Sequence, residues 1–355
     1  MRATREVEEV MEDVMASMPR SSFTKLNDSL VRLSINGDSI RKSLSLAAKW
    51  RSAGYNPFHH DSDGLTALHR AASKGDDSLA KALLSSYEGD VVKFACLGTT
   101  KQGHTALHLA CKGGHLDVAM TLLDVAGKPI LNCVDRHGNT ALHFAATSCA
   151  PESFTLLQWL VAHAPRSLLS QPNNHGLSPV AAHIAIATAD SAAMLRLFLE
   201  RQVDPNAIVR GENTLLHVCV ERHLYNMAGC LVEFGAALNL PDSRGVLVTD
   251  IVPDHHLGSL VKYSSRPQDW VNHVRKACMS CSRKFGFLNR RHHCRLCGRI
   301  LCGKCTKNKR TLGLAEGVQT AVRVCHVCVS VLGEHRKSGS MTDVTMEVES
   351  PVMLR

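Results

Sequence analysis

The 355-residue sequence has no run approaching 18 unbroken apolar residues, so nothing in it reads as a membrane-spanning helix. Aromatic residues make up only 5% of it, too few for the spaced rings of a base-stacking platform. It contains no glycine loop of the phosphate-cradling kinds, and nothing assembles a nucleophile, a base and an orienting acid; no enzyme is expected. Its opening, Met1 to Glu6, is charged rather than apolar and does not read as a secretory leader, so a reducing, cytoplasmic setting is expected. One absence is local. Between Trp270 and Arg310 there is no Asp or Glu, against 12 Lys and Arg. Outside that window 29 cations face 32 acids, so the net charge of +9 belongs to this stretch alone. A basic patch of that density calls for a phosphate-rich partner, either a nucleic acid or an anionic lipid surface.

The same window holds most of a cysteine ladder. Of 14 cysteines, eight form four Cys-x-x-Cys pairs: Cys278/Cys281, Cys294/Cys297, Cys302/Cys305 and Cys325/Cys328. Each such turn aims two thiolates at one point, and two turns complete a tetrahedral zinc site. Eight ligands make two closed, structural sites. Spacing leaves open whether neighbouring or alternate pairs share an ion. Disulfides are the competing reading, and they need the oxidising compartment argued against above. The other six cysteines (Cys96, Cys111, Cys133, Cys149, Cys219, Cys230) have no metal spacing and read as small buried hydrophobes.

Between the first two pairs lies Phe285-Gly286-Phe287-Leu288-Asn289, running into Arg290-Arg291-His292-His293-Cys294-Arg295. Phe287 and Leu288 at the tip of a basic loop suit a membrane boundary, where apolar side chains enter and arginines hold phosphates. The basic hexapeptide, Cys297-Gly298, the late Arg323-Val324-Cys325 and all eight cysteines resemble the FYVE zinc finger. The resemblance implies a cross-braced finger, with Cys278, Cys281, Cys302 and Cys305 on one zinc and Cys294, Cys297, Cys325 and Cys328 on the other. It implies insertion of Phe287 and Leu288 into membrane. It further implies a phosphatidylinositol 3-phosphate headgroup held by Arg290, Arg291, His292, His293, Arg295 and Arg323. Histidines near their ordinary pKa of about 6.5 would tighten that hold in mild acid. One departure stands out. The family carries an Asp three residues after its first tryptophan; here Trp270 is followed at that place by His273, which puts strict 3-phosphate selectivity in doubt.

The rest of the chain repeats. Thr66-Ala-Leu-His69, Thr105-Ala-Leu-His108 and Thr140-Ala-Leu-His143 are clear copies, with weaker ones at Ser178-Pro179 and Thr214-Leu-Leu-His217. Their starts are 39, 35, 38 and 36 residues apart, and a glycine turn precedes each. This resembles ankyrin repeats. By that resemblance the histidines hydrogen-bond between neighbouring turns and do not bind metal. The expected organisation is an amphipathic N-terminal helix and cap over 1–23, then about six ankyrin units and a half-repeat over 24–262. A FYVE-type finger over 263–332 and a disordered tail over 333–355 complete it. Pro253 to Gln268 reads as a short joint that allows the finger to dock on the last repeat. The fold class is mainly α: a repeat solenoid, then a small two-zinc cross-brace.

These features combine as a non-enzymatic adaptor on endosomal membranes, with a protein partner on the repeats. Dimerisation or partner binding is expected to add the avidity that one finger lacks. Two alternatives remain. A RING-like ubiquitin ligase shares the cross-brace but usually carries histidine ligands. A nucleic-acid-binding adaptor is disfavoured by the scarcity of aromatics.

Overall fold

The structure is a computed structural model describing residues 59–61, 64–85, 89–264, 268, 275–311 and 321–337. The expected N-terminal helix and cap over 1–23, the start of the expected repeats and residues 338–355 of the expected tail lie outside those residues. The chain divides into two compact units. The first runs to Ala236 and takes in Asp242–Arg244; the second holds Ala237–Pro241 and the chain from Gly245.

The first unit is built from helix pairs: α1 (Ala67–Lys74) with α2 (Asp77–Leu84), and α4 (Ala106–Gly113) with α5 (Leu116–Ala126). A further helix, α3 (Asp90–Leu97), lies between these pairs in sequence and packs on α5. Next come α6 (Ala141–Thr147) with α7 (Ser153–His163), and the short α8 (Arg166–Leu169). The last pairs are α9 (Pro179–Ile186) with α10 (Ala193–Glu200), and α11 (Leu215–Glu221) with α12 (Tyr225–Glu233). A two-residue hairpin, β1 (Ile208–Val209) and β2 (Asn213–Thr214), precedes α11. First helices stack in sequence order, α1 on α4, α4 on α6, α6 on α9 and α9 on α11. No single pair can bury its own apolar face; the stack buries Leu107, Leu122, Leu142, Leu156, Leu160, Ile184 and Phe198 completely.

The Thr-x-Leu-His motif explains the start of each first helix. Thr66, Thr105 and Thr140 take the N-cap position, each in a reciprocal capping box with the histidine three residues on. Histidine replaces the usual Glu or Gln, so the box uses Nδ1 as acceptor: the Thr66, Thr105 and Thr140 N–H groups donate to it at 3.2, 3.0 and 3.1 Å. That leaves the proton on Nε2, which donates to the next turn. His69 reaches the carbonyls of Gly98 and His104, His108 that of Asn139 and His143 that of Leu177, at 2.9–3.2 Å. Each histidine thus caps its own helix and, as expected, ties its repeat to the following one. Between repeats the chain turns through residues such as Gly103, at φ +82, where an added Cβ would come within 3.0 Å of the Arg136 nitrogen.

The second unit opens on helices. What reads as a half-repeat and a joint is a helix pair, α13 (Val248–Ile251) and α14 (Asp254–Lys262). Pro253 stands at the entry to α14, where its missing N–H is no loss, and Leu257, Leu260 and Val261 form a buried stripe. Gly258 and two histidines hide this helix in the sequence. The remainder has two antiparallel ribbons: β3 (Arg291–His293) with β4 (Ile300–Cys302), and β5 (Asn308–Thr311) with β6 (Ala321–Val324). A closing helix, α15 (His326–Lys337), packs along α14 and runs five residues past the expected end of the finger at 332.

Candidate functional site

The eight ladder cysteines gather into two groups, Cys278, Cys281, Cys302 and Cys305, and Cys294, Cys297, Cys325 and Cys328. Alternate pairs meet, and within each group the sulfurs lie within 4.8 Å of one another. The turns are built locally. The Cys278 carbonyl accepts from the Ser282 N–H (2.9 Å) and the Cys294 carbonyl from the Gly298 N–H (2.8 Å). Both donors adopt left-handed backbone, φ 57 at Ser282 and φ 75 at Gly298. The β3–β4 register then sets Arg291 opposite Cys302 and His293 opposite Ile300, so the turn carrying Cys294 and Cys297 lies at one end of the ribbon and Cys302 at the other.

Do these sulfurs fit a metal? A tetrahedron with zinc–sulfur bonds of about 2.3 Å has edges of about 3.8 Å. Cys281 and Cys302 sulfurs are 3.7 Å apart, and those of Cys297 and Cys325 are 3.8 Å apart. The chemistry agrees. Thiolates this close raise one another's pKa; Cys297 and Cys328 are pushed up by the sulfurs around them, while hydrogen bonds from those neighbours push Cys294 down. A soft divalent cation removes that conflict. The two groups differ in exposure: all four cysteines of the second are buried, whereas Cys281 in the first is exposed.

The basic strand lies between the groups. Arg290 and Arg291 are exposed, and His292, His293 and Arg295 are half-buried. Arg323, also exposed, joins them because the Arg295 N–H donates to the Arg323 carbonyl at 2.9 Å, and its guanidinium donates to His292 Nδ1, also at 2.9 Å. Partial burial, with the charges of Arg323 and Arg290, holds the His292 pKa below its ordinary 6.5. Any tightening through His292 therefore needs more acid than an unperturbed imidazole would.

Phe287 and Leu288 are the middle residues of a turn closed by paired Gly286 and Asn289 backbone bonds of 3.1 and 3.2 Å. They are 92% and 97% exposed, more than any other large apolar side chain among the described residues. At the base of this turn an open cleft of about 610 Å³ is lined by Arg290 and Arg291 together with Arg275, Lys276 and Lys284. Those last three cations are not part of the recognised motif. Only the dense charge of the window could have pointed to them, and it cannot say which of its cations converge. Of the nominated headgroup residues, His292, His293, Arg295 and Arg323 are not among those lining this cleft. Trp270 and His273 lie outside the described residues.

Comparison with known proteins divides along the same line. A FYVE zinc finger model matches residues 269–334, and an ankyrin-repeat model matches residues 33–128 and 90–171. Mouse Rabankyrin-5 is 29% identical over 167 residues, 45% of this chain and 14% of that protein. The vacuolar protein sorting-associated protein 27 of Eremothecium gossypii is 41% identical over 88 residues, 24% of this chain and 14% of that protein. The matched part thus spans about one seventh of these relatives. Among solved structures, the ankyrin repeat domain of Bcl-3 superposes with a TM-score of 0.55 at 22% identity, covering 66% of this chain and 97% of that one. With the stacked, histidine-capped helix pairs and the two four-sulfur groups, these matches establish the architecture. The chain is an ankyrin-repeat protein that carries a FYVE zinc finger after its repeats.

Proposed function

We propose that this protein is a non-enzymatic adaptor that docks peripherally on the cytosolic face of endosomal membranes through its finger and holds a protein partner on its repeats. The observation that carries the reading is the turn at Phe287-Leu288. Two large apolar side chains stand almost fully in water beside exposed Arg290 and Arg291, an arrangement that is wasteful unless a bilayer covers it. In this reading the two sulfur groups hold one structural zinc each. The cleft and Arg290, Arg291, His292, His293, Arg295 and Arg323 receive a phosphatidylinositol 3-phosphate headgroup. Guanidinium forks suit phosphate oxygens, and charge-assisted bonds are the strong ones. No helix among the described residues is long and apolar enough to cross a membrane, which agrees with peripheral attachment. Similarity to a vacuolar protein sorting-associated protein supports the endosomal address. A single shallow insertion is reversible, so a second copy or the repeats' partner would add avidity.

Flotation of the full-length, zinc-loaded protein on vesicles carrying one phosphoinositide at a time tests this. Binding is expected on 3-phosphate vesicles. Phe287→Ala with Leu288→Ala should weaken it at least about tenfold, because two side chains lose their apolar burial. Arg291→Ala should weaken it by a similar factor. Failure to float on any phosphoinositide, or RNA binding that persists at physiological salt and survives Phe287→Ala, would overturn the reading.

A further inference from the structure

Beside the basic strand lies a residue outside every recognised motif. Gln268 is buried, at 7% exposure. Its backbone runs against the strand's far end. The Gln268 N–H donates to the Arg295 carbonyl at 2.7 Å, and the Gln268 carbonyl accepts from His293 Nε2 at 3.3 Å and from Arg295 Nη1 at 3.4 Å. Its side chain faces the other way: the amide oxygen accepts the N–H of Leu238 at 3.0 Å. Leu238 is fully buried in the loop 237–241, a segment of the repeat region that belongs to the same compact unit as the finger.

That loop also meets the turn that follows the strand. A Cβ at Gly298 would lie 2.4 Å from the Asn239 Cβ, so the Cys294–Cys297 turn presses directly on Asn239. Arg299, next in the chain, reaches α13 and α14, donating to the Thr249 carbonyl at 3.4 Å and to an Asp254 carboxylate oxygen at 2.6 Å. The basic strand is therefore held from outside the finger as well as by its own cysteines.

We propose that Gln268 is a positioning residue for the headgroup surface: by anchoring on Leu238 it fixes the backbone that orients His293 and Arg295. A buried N–H left without its acceptor is costly, so the Gln268 side chain sets where its own carbonyl stands. That carbonyl in turn holds the imidazole through Nε2 and restrains one guanidinium arm. The repeat region so contributes to the lipid surface without touching lipid. The inference rests on the proposed headgroup role of His293 and Arg295, yet its geometric half can be tested alone.

Full-length Gln268→Met keeps the shape and loses the acceptor, whereas Gln268→Glu keeps an acceptor oxygen. Both should retain the zinc content of the parent chain. By amide hydrogen exchange, Gln268→Met should exchange faster at residue 268 and across 291–296, and Gln268→Glu should restore the protection. On phosphatidylcholine vesicles doped with phosphatidylinositol 3-phosphate, Gln268→Met should bind about fivefold more weakly, the worth of roughly one net hydrogen bond. Unchanged exchange across 291–296 in Gln268→Met, or no recovery in Gln268→Glu, would overturn the positioning role. Absence of vesicle binding by the parent chain would instead remove the headgroup reading, and the exchange comparison would still decide whether Gln268 orients the strand.

Discussion

Stripping zinc should unfold the finger and release the protein from vesicles while the repeats of the first unit keep their helices. The finger's own core is small: among the described residues, and apart from the cysteines, its buried apolar side chains are Leu296, Ile300, Leu301, Val324 and Val331. So few side chains cannot offset the entropy of ordering the segment, and the binding free energy of a structural zinc, on the order of 10 kcal/mol, is then folding free energy. The two sites should not empty together. Cys281 is exposed, whereas Cys294, Cys297, Cys325 and Cys328 are all buried, so a chelator reaches the first site sooner. Release followed with a chromophoric chelator should run in two phases and total two zinc ions per chain. Cys297→Ser should abolish the fold of the finger, and Cys281→Ser should weaken one site. A single release phase with one ion per chain would contradict both the stoichiometry and the asymmetry.

Acid should loosen the repeats well before it affects an ordinary helical protein. The imidazoles of His69 and His108 are completely buried, and burial pushes their pKa from 6.5 down to about 4. His143 and His183 are lowered for the same reason. The sign follows from proton counting. The folded chain holds these rings neutral, and an unfolded chain protonates them below about 6.5. Between pH 6.5 and 4 the unfolded state binds more protons, so stability is intact above that window and falls as pH drops through it. At pH 5 the loss is about 2 kcal/mol for each of His69 and His108. Structure explains the penalty. Protonation puts a hydrogen on Nδ1, which already accepts from the threonine N–H of the capping box. Urea midpoints at pH 7.5 and pH 5 should differ accordingly, and His108→Gln should be less stable at neutral pH with a flatter pH profile. Equal midpoints at both pH values would show that these rings are not held neutral.

The Thr-x-Leu-His copies are legible in the sequence because they are local. Thr66 and His69 are three residues apart, and helix geometry alone brings the hydroxyl and imidazole to the same turn. The Cys-x-x-Cys turns were legible for the same reason. Helix α14 was not: Gly258 and the paired His255-His256 blur its apolar stripe, and its need for an apolar face becomes visible only with Val331 of α15 against Gly258. Nor could the stretch 285–291 announce Arg275, Lys276 and Lys284 as neighbours in one cleft, since Arg275 and Lys276 lie before the first cysteine pair and Lys284 after it.

The sequence by itself determined the repeat unit, the eight sulfurs and the basic turn, because each is written in side chains a few residues apart whose geometry the backbone enforces. Tertiary structure alone decided which cysteine pairs share a site, how far Phe287 and Leu288 stand in water, and that Gln268 joins Leu238 to Arg295. Those depend on long-range register, where many pairings are compatible with the same local turns and only the packing of the whole unit selects one.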